Sequence, residues 1–266
     1  MMTQTQIHTD PTPVLEVRDL TQRFGGLTAV KDFNVKLMPG ELSGLIGPNG
    51  AGKTTIFNLV SGFYQPTEGQ ILVDGTPTAG LKPHKVTALG AARTFQNIRL
   101  WNDMTVLDNI RVAQHYQLGY GFFHAVVRSK HYQAREDQVA KEAAELLDVF
   151  DLKRFADELP KNLPYGTQRK LEIARALSSH PKLLLLDEPA AGLNSADAKD
   201  LIRLIRWIHE TFDVTIWMIE HHMDVMMELC TQIKVIDFGE TIAEGSAEHV
   251  RNHPAVMSAY LGDENI

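Results

Sequence analysis

The sequence predicts an α/β fold, a parallel sheet covered by helices, with a β-rich first third and a helical middle third. Apolar runs at Leu183–Leu186, Val214–Ile219 and Ile233–Ile236 read as buried strands. Helical patterns separate them, at Ser195–Glu210 and in a shorter stretch after Glu220, and strand–helix–strand order builds a parallel sheet. In the first third, short strand-like runs at Phe33–Leu37, Glu41–Ile46 and Ile71–Val73 are punctuated by Pro39-Gly40, Glu68-Gly69 and Asp74-Gly75. From Met104 to about Ala176 the period changes to that of a helix. Val139, Ala143, Leu146, Leu147 and Phe150 recur on one face, with Glu142, Glu145 and Asp148 opposite.

The chain has 266 residues, 44% hydrophobic and 22% charged, enough to bury a sizeable core without disulfides or structural metal. Met1–Pro13 is polar, carries two prolines and reads as a disordered leader. The fold begins at Val14-Leu15-Glu16-Val17, and residues 14–266 read as one domain with a helical lobe over about 97–177. With 26 Lys plus Arg against 33 Asp plus Glu, the net charge of −7 disfavours nucleic acid or anionic lipid as a partner. The single cysteine, Cys230, points to a reducing compartment, and the cytoplasm fits best. No apolar stretch is long enough to span a bilayer, and the polar start lacks a secretory pattern.

Gly47-Pro48-Asn49-Gly50-Ala51-Gly52-Lys53-Thr54 follows one of the expected strands and has the spacing G-x-x-x-x-G-K-[ST] ahead of a helix. Glycines let successive backbone N–H groups turn inward around phosphate oxygens, where side chains would block the approach. In that arrangement Lys53 reaches the β- and γ-phosphates and the Thr54 hydroxyl faces Mg²⁺. The matching acidic element is Asp187-Glu188-Pro189, at the carboxyl end of the four-leucine strand, the end that faces ligands in open α/β sheets. Asp187 would hold Mg²⁺ through its water shell, and Glu188 would polarise a water for in-line attack on the γ-phosphate.

With these two motifs in place, the chain from about Val14 onward resembles the nucleotide-binding subunit of an ATP-binding cassette (ABC) transporter. The resemblance implies a P-loop NTPase (RecA-like) core with an N-terminal antiparallel β subdomain and an inserted helical subdomain. It places Gln96, in Arg93-Thr94-Phe95-Gln96-Asn97, as the Q-loop glutamine that senses Mg²⁺ and the attacking water. Leu163-Pro164-Tyr165-Gly166-Thr167-Gln168 occupies the place of the signature Leu-Ser-Gly-Gly-Gln and opens a helix expected over Arg169 to Leu177. Pro164, Tyr165 and Thr167 depart from that consensus and Gly166 keeps it. Backbone N–H groups around Gly166, with Tyr165 and the Thr167 hydroxyl, would face the γ-phosphate held by a second subunit. The likeness also assigns Ala191-Gly192-Leu193-Asn194 to the D-loop, His221 to the switch histidine beside His222, Phe24 to the adenine-stacking aromatic, and Val30 and Thr55 to nucleotide contacts.

Arg23-Phe24-Gly25-Gly26-Leu27, Pro189-Ala190-Ala191-Gly192-Leu193-Asn194, Ile219-Glu220-His221 and the tail Arg251-Asn252-His253-Pro254 with Ala259-Tyr260-Leu261-Gly262 look like the branched-chain amino-acid importer branch. Urea importers and lipopolysaccharide-type export ATPases share most of the motifs. The resemblance implies ATP and Mg²⁺, an ATP-sandwich dimer with a second copy or a homologous ATPase subunit, and two integral membrane permease subunits. A solute-binding receptor would act only indirectly, and the chain would sit peripherally at the cytoplasmic face of the cell membrane. DNA-repair and chromosome-organising ATPases share the site but insert a long coiled coil, and no heptads lie between Thr54 and Leu183. The aromatic stretch His115–Phe123 fits either a loop packed on its own lobe or a docking surface.

Overall fold

A computed structural model describes residues 12–114, 130–221 and 223–261. The expected leader falls outside these except for Thr12 and Pro13, and so do His115–Phe123 and His222. Strand β1 (Leu15–Phe24) pairs antiparallel with β2 (Leu27–Leu37) and β4 (Glu68–Val73), and β4 pairs with β5 (Thr76–Pro77). The order of this first sheet is β2-β1-β4-β5. Glu68 and Gly69, expected in a turn, instead begin β4, opposite an irregularity in β1. The second sheet contains β3 (Leu42–Ile46), β6 (Ala91–Arg93), β7 (Leu183–Asp187), β8 (Thr215–Ile219), β9 (Gln232–Asp237) and β10 (Glu240–Gly245), in the order β10-β9-β3-β8-β7-β6. Its pairings are parallel except that of β10 with β9.

Every residue of β3, β7 and β8 is buried, as expected of strands covered on both faces. Alternate side chains separate into two cores. Leu184, Leu186, Ile216 and Met218 face the helices, whereas Leu183, Leu185, Trp217 and Ile219 face the antiparallel sheet. Trp217 fills that second core, with its ring centroid 4.9 Å from that of Phe57 and 6.4 Å from that of Phe33.

Helix α1 (Lys53–Val60) lies in this same core through Ile56, Phe57, Leu59 and Val60. Its N-cap, Gly52, has φ 103°, and a Cβ there would lie 2.5 Å from the Ala29 carbonyl oxygen, so the turn into the helix admits only glycine. Beyond α2 (Pro83–Ala88), the helical lobe comprises α3 (Val106–Gln114), α4 (Lys130–Val149) and α5 (Tyr165–Leu177). Val139, Ala143, Leu146, Leu147 and Phe150 are all buried, as their period predicts. Helix α5 starts at Tyr165 rather than Arg169, with Pro164 as its N-cap, so Tyr165-Gly166-Thr167-Gln168 forms the first helical turn instead of a loop before it. The C-terminal third adds α6 (Ser195–Thr211), α7 (Met223–Leu229), α8 (Ala247–Arg251) and α9 (Pro254–Leu261).

The order β3-β8-β7-β6 places four parallel carboxyl ends side by side. β3 leads into Gly47, β8 into Glu220-His221, β7 ends at Asp187, and β6 leads into Thr94–Gln96. Four motifs distant in sequence therefore converge on one edge.

Candidate nucleotide-binding and hydrolysis site

Glu188 is held between two side chains delivered by neighbouring strands. The Gln96 amide Nε2 donates to one carboxylate oxygen at 2.6 Å, and His221 Nε2 contacts the other. The Glu188 side chain is almost wholly buried. Its backbone has φ 47°, the left-handed region that non-glycine residues rarely adopt and that is retained where the surroundings over-determine it. Here the Glu188 N–H donates to the Ile219 carbonyl at 2.9 Å and its own carbonyl accepts from the Ala191 N–H at 3.1 Å. The chain thus turns sharply after β7 and directs the carboxylate back toward β8. Glu220, buried at the end of β8, accepts from the Ala190 N–H at 2.7 Å and from the His221 N–H at 3.2 Å, joining the histidine loop to the segment after Glu188. Glu220 was not among the sequence candidates, although a carboxylate ending an apolar strand is itself a signal.

Asp187 has a different neighbour. Arg93 donates to its Oδ2 at 2.6 Å, and both side chains are about 95% buried. The same guanidinium donates to Asn58 Oδ1 at 2.9 Å and Ser61 Oγ at 3.2 Å and lies over the Phe57, Phe63 and Phe95 rings. Burial pulls the Arg93 pKa below its ordinary value, and the Asp187 carboxylate opposes that pull. Arg93 stands in the quoted segment before Gln96, but its pairing required the sheet order that sets β6 beside β7.

A cavity of about 420 Å³ is lined by Phe24, Leu27, Ala29, Asn49 to Thr55, Gln96, Glu188 and His221. Its volume falls in the range of small-ligand sites. Phe24 is 43% exposed at its rim, edge-on to Tyr64 with the centroids 5.5 Å apart. An aromatic face left half-open beside a glycine-rich loop suits stacking on a base. Val30 is fully buried in the core between the sheets, and its neighbours Leu27 and Ala29 line the cavity instead, because alternation along β2 turns Val30 inward. Lys53 is buried and its ammonium donates to the Gly47 and Pro48 carbonyls at 2.6 and 2.8 Å, holding the loop closed on itself. A second cavity of about 320 Å³ adjoins through Thr54 and Gln96 and includes Asp187, Asn58 and Arg93. Hydroxyl, carboxylate and amide oxygens there form a hard-donor set that fits Mg²⁺.

The signature segment stands apart from both cavities, since Tyr165, Gly166 and Thr167 line neither. A buried pair anchors it: Arg169 donates to Glu172 at 2.8 Å. Burial pushes the Glu172 carboxyl pKa up, against the opposing pull of Arg169 and of the Arg99 and Phe95 N–H groups. In the D-loop, Asn194 is the N-cap of α6, its oxygen accepting from the Ala196 and Asp197 N–H groups at 3.0 and 2.9 Å.

The family model described as ABC transporter matches residues 30–191, most of the chain. The protein BraF of Pseudomonas aeruginosa, named a high-affinity branched-chain amino acid transport ATP-binding protein, is 44% identical over 94% of this chain and 98% of its own length. This chain belongs to the ABC transporter family. It is an ATPase of that family, with a P-loop core. A second family model, described as branched-chain amino acid ATP-binding cassette transporter, matches residues 240–265. LivG of Escherichia coli K12, with the same descriptive name as BraF, is 43% identical over 94% of this chain and 98% of its own length. Among solved structures, the ADP conformation of MJ1267, an ATP-binding cassette of an ABC transporter, superposes with a TM-score of 0.80 at 27% identity, covering 94% of this chain and 99% of that one. No helix among the described residues of this ABC ATPase is long and apolar enough to cross a membrane.

Proposed function

We propose that this ABC ATPase powers uptake of branched-chain amino acids through two integral membrane permease subunits, at the cytoplasmic face of the cell membrane, with a solute-binding receptor acting indirectly. The observation that carries the hydrolytic part is the Glu188 carboxylate held by Gln96 and His221 at the mouth of the phosphate-loop cavity. The cargo reading is supported by the family match over residues 240–265 and by the names of the relatives.

In this reading the N–H groups of residues 49 to 55 and the Lys53 ammonium hold the phosphates, and Phe24 stacks on the adenine. Thr54, Asp187 and Gln96 would hold Mg²⁺, which would supply charge neutralisation on the phosphates. Glu188 orients and deprotonates the attacking water, and His221 donates a hydrogen bond to the γ-phosphate once it leaves the carboxylate. Tyr165, Gly166 and Thr167 complete the site of a second copy or of a homologous ATPase subunit. The test uses vesicles carrying the assembled transporter: Glu188→Gln is expected to lose ATP-driven leucine uptake and to slow phosphate release by about 10²–10⁴-fold while nucleotide affinity stays at the wild-type level. Uptake and turnover that survive the substitution overturn the assignment.

A further inference from the structure

The signature helix is tied to this chain's own hydrolysis centre by contacts of Arg169 and Glu172 and by those of Tyr165, a departure from the consensus. Arg169, directly after the first turn of α5 and fully buried, donates to the Phe95 carbonyl at 2.7 Å and to the Gln96 carbonyl at 2.8 Å. It also donates to the Tyr165 hydroxyl at 3.2 Å, and that hydroxyl donates to the Ala191 carbonyl at 3.3 Å. Glu172 completes the clamp from the other side, its Oε1 accepting from the Arg99 N–H at 3.1 Å while its Oε2 accepts from Arg169 at 2.8 Å. The Gln96 side chain in turn holds Glu188, and the Ala191 N–H holds the Glu188 carbonyl. These contacts form a closed circuit through Glu188, Gln96, Arg169, Tyr165 and Ala191. A glycine at position 165 would supply neither the hydroxyl nor the ring, whose atoms lie 3.4 Å from where a Cβ on Gly192 would stand.

Because the guanidinium fork is planar and buried, the Phe95–Gln96 backbone cannot shift without either drawing the first turn of α5 along or leaving a buried cation with unmet donors. The second alternative is the costly one. We propose that Arg169 and Tyr165 are positioning residues that relay the nucleotide state of this chain's own site to its signature helix, and so to the site which that helix completes in a partner. The relay rests on the functional reading above, in which Gln96 would help to hold Mg²⁺ beside the nucleotide. It differs from that reading in assigning the transmission to two side chains rather than to the loop as a whole.

Hydrogen exchange on the full chain, kept monomeric, tests it with Mg–ADP as the probe and binding followed separately by a fluorescent ADP analogue. In the wild type, Mg–ADP is expected to change the exchange of the peptide spanning residues 163–170 by about three-fold or more, although that peptide lines neither cavity. In Arg169→Lys, which keeps a positive charge on a single nitrogen but loses the planar fork whose separate nitrogens hold the Phe95 and Gln96 carbonyls and Glu172 together, the change is expected to vanish while ADP affinity is kept. Tyr165→Phe is a second variant at a side chain that is 43% exposed, and it is expected to lose about half of the response. A wild-type peptide that ignores bound Mg–ADP, or a full response in both variants, overturns the relay. Failure to bind the ADP analogue at all overturns the nucleotide-site reading itself and takes the relay with it.

Discussion

Arg93 holds a carboxylate that is almost wholly withdrawn from solvent, so its removal exposes the cost of burying charge. With both partners about 95% buried, Arg93→Met leaves Asp187 uncompensated and is expected to lower unfolding stability by about 3–5 kcal/mol in urea titrations. Adding Asp187→Asn to that variant removes the stranded charge and is expected to recover most of the loss, and a double variant no more stable than the single one contradicts this account. Glu172 is expected to leave a pH signature. Burial raises its folded pKa above the usual 4.5, so within that window the native state holds the proton that the unfolded state has released. Stability contributed by this carboxyl therefore falls as pH rises above 4.5. The difference in unfolding free energy between wild type and Glu172→Gln should shrink or reverse over that rise, whatever the constant offset from leaving Arg169 with an amide. Residues that are chemical by type and spacing, Lys53, Thr54, Asp187 and Glu188, were legible in the sequence. Arg93, Glu220 and Arg169 were not, because their roles depend on which strand or loop lies alongside.

The same division holds for elements. Long segments announced themselves: β7 and β8 as apolar runs, α4 by its apolar stripe and α6 by the helical pattern over Ser195–Glu210. The three-residue β6 did not, since Ala91-Ala92-Arg93 carries no β-branched residue and is a strand only because β7 offers its edge. The sequence places the start of α5 at Arg169 because residues 163–168 read as the signature segment ahead of the helix, whereas Pro164 as an N-cap presents no N–H to satisfy and the helix begins directly after it. Asn194 gives the element scale its test. Its side-chain oxygen accepts two N–H groups of the first turn of α6, so Asn194→Ala is expected to cost about 1 kcal/mol in thermal or urea unfolding; Asn194→Asp keeps the acceptor and complements the helix dipole but sets a carboxylate where the amide donates to Asp197 at 2.8 Å, so its gain is offset. An unchanged midpoint for Asn194→Ala would leave Asn194 with no capping role.

At the scale of the molecule, the sheet gathers the phosphate loop, Asp187, Glu188, Gln96 and His221 on one edge, yet the helix N-terminus formed by Tyr165, Gly166 and Thr167 lines neither cavity there. One chain thus presents the phosphate-loop cavity and, separately, a helix terminus suited to phosphate. If the missing half of each site comes from another subunit, hydrolysis and binding must depend differently on protein concentration. Specific ATPase activity of the purified chain is expected to rise with its concentration at low occupancy of the dimer and then level off, whereas its affinity for ADP, which needs only the half-site, is expected to be the same throughout. Gly166→Glu should abolish the rise without altering ADP affinity. A Cβ at that position already comes within 3.2 Å of the Asp197 carboxylate, and a second carboxylate would meet the approaching phosphates with like charge. Activity per molecule that is independent of concentration would show instead that a single chain completes its own site, and the helix terminus would then need another role.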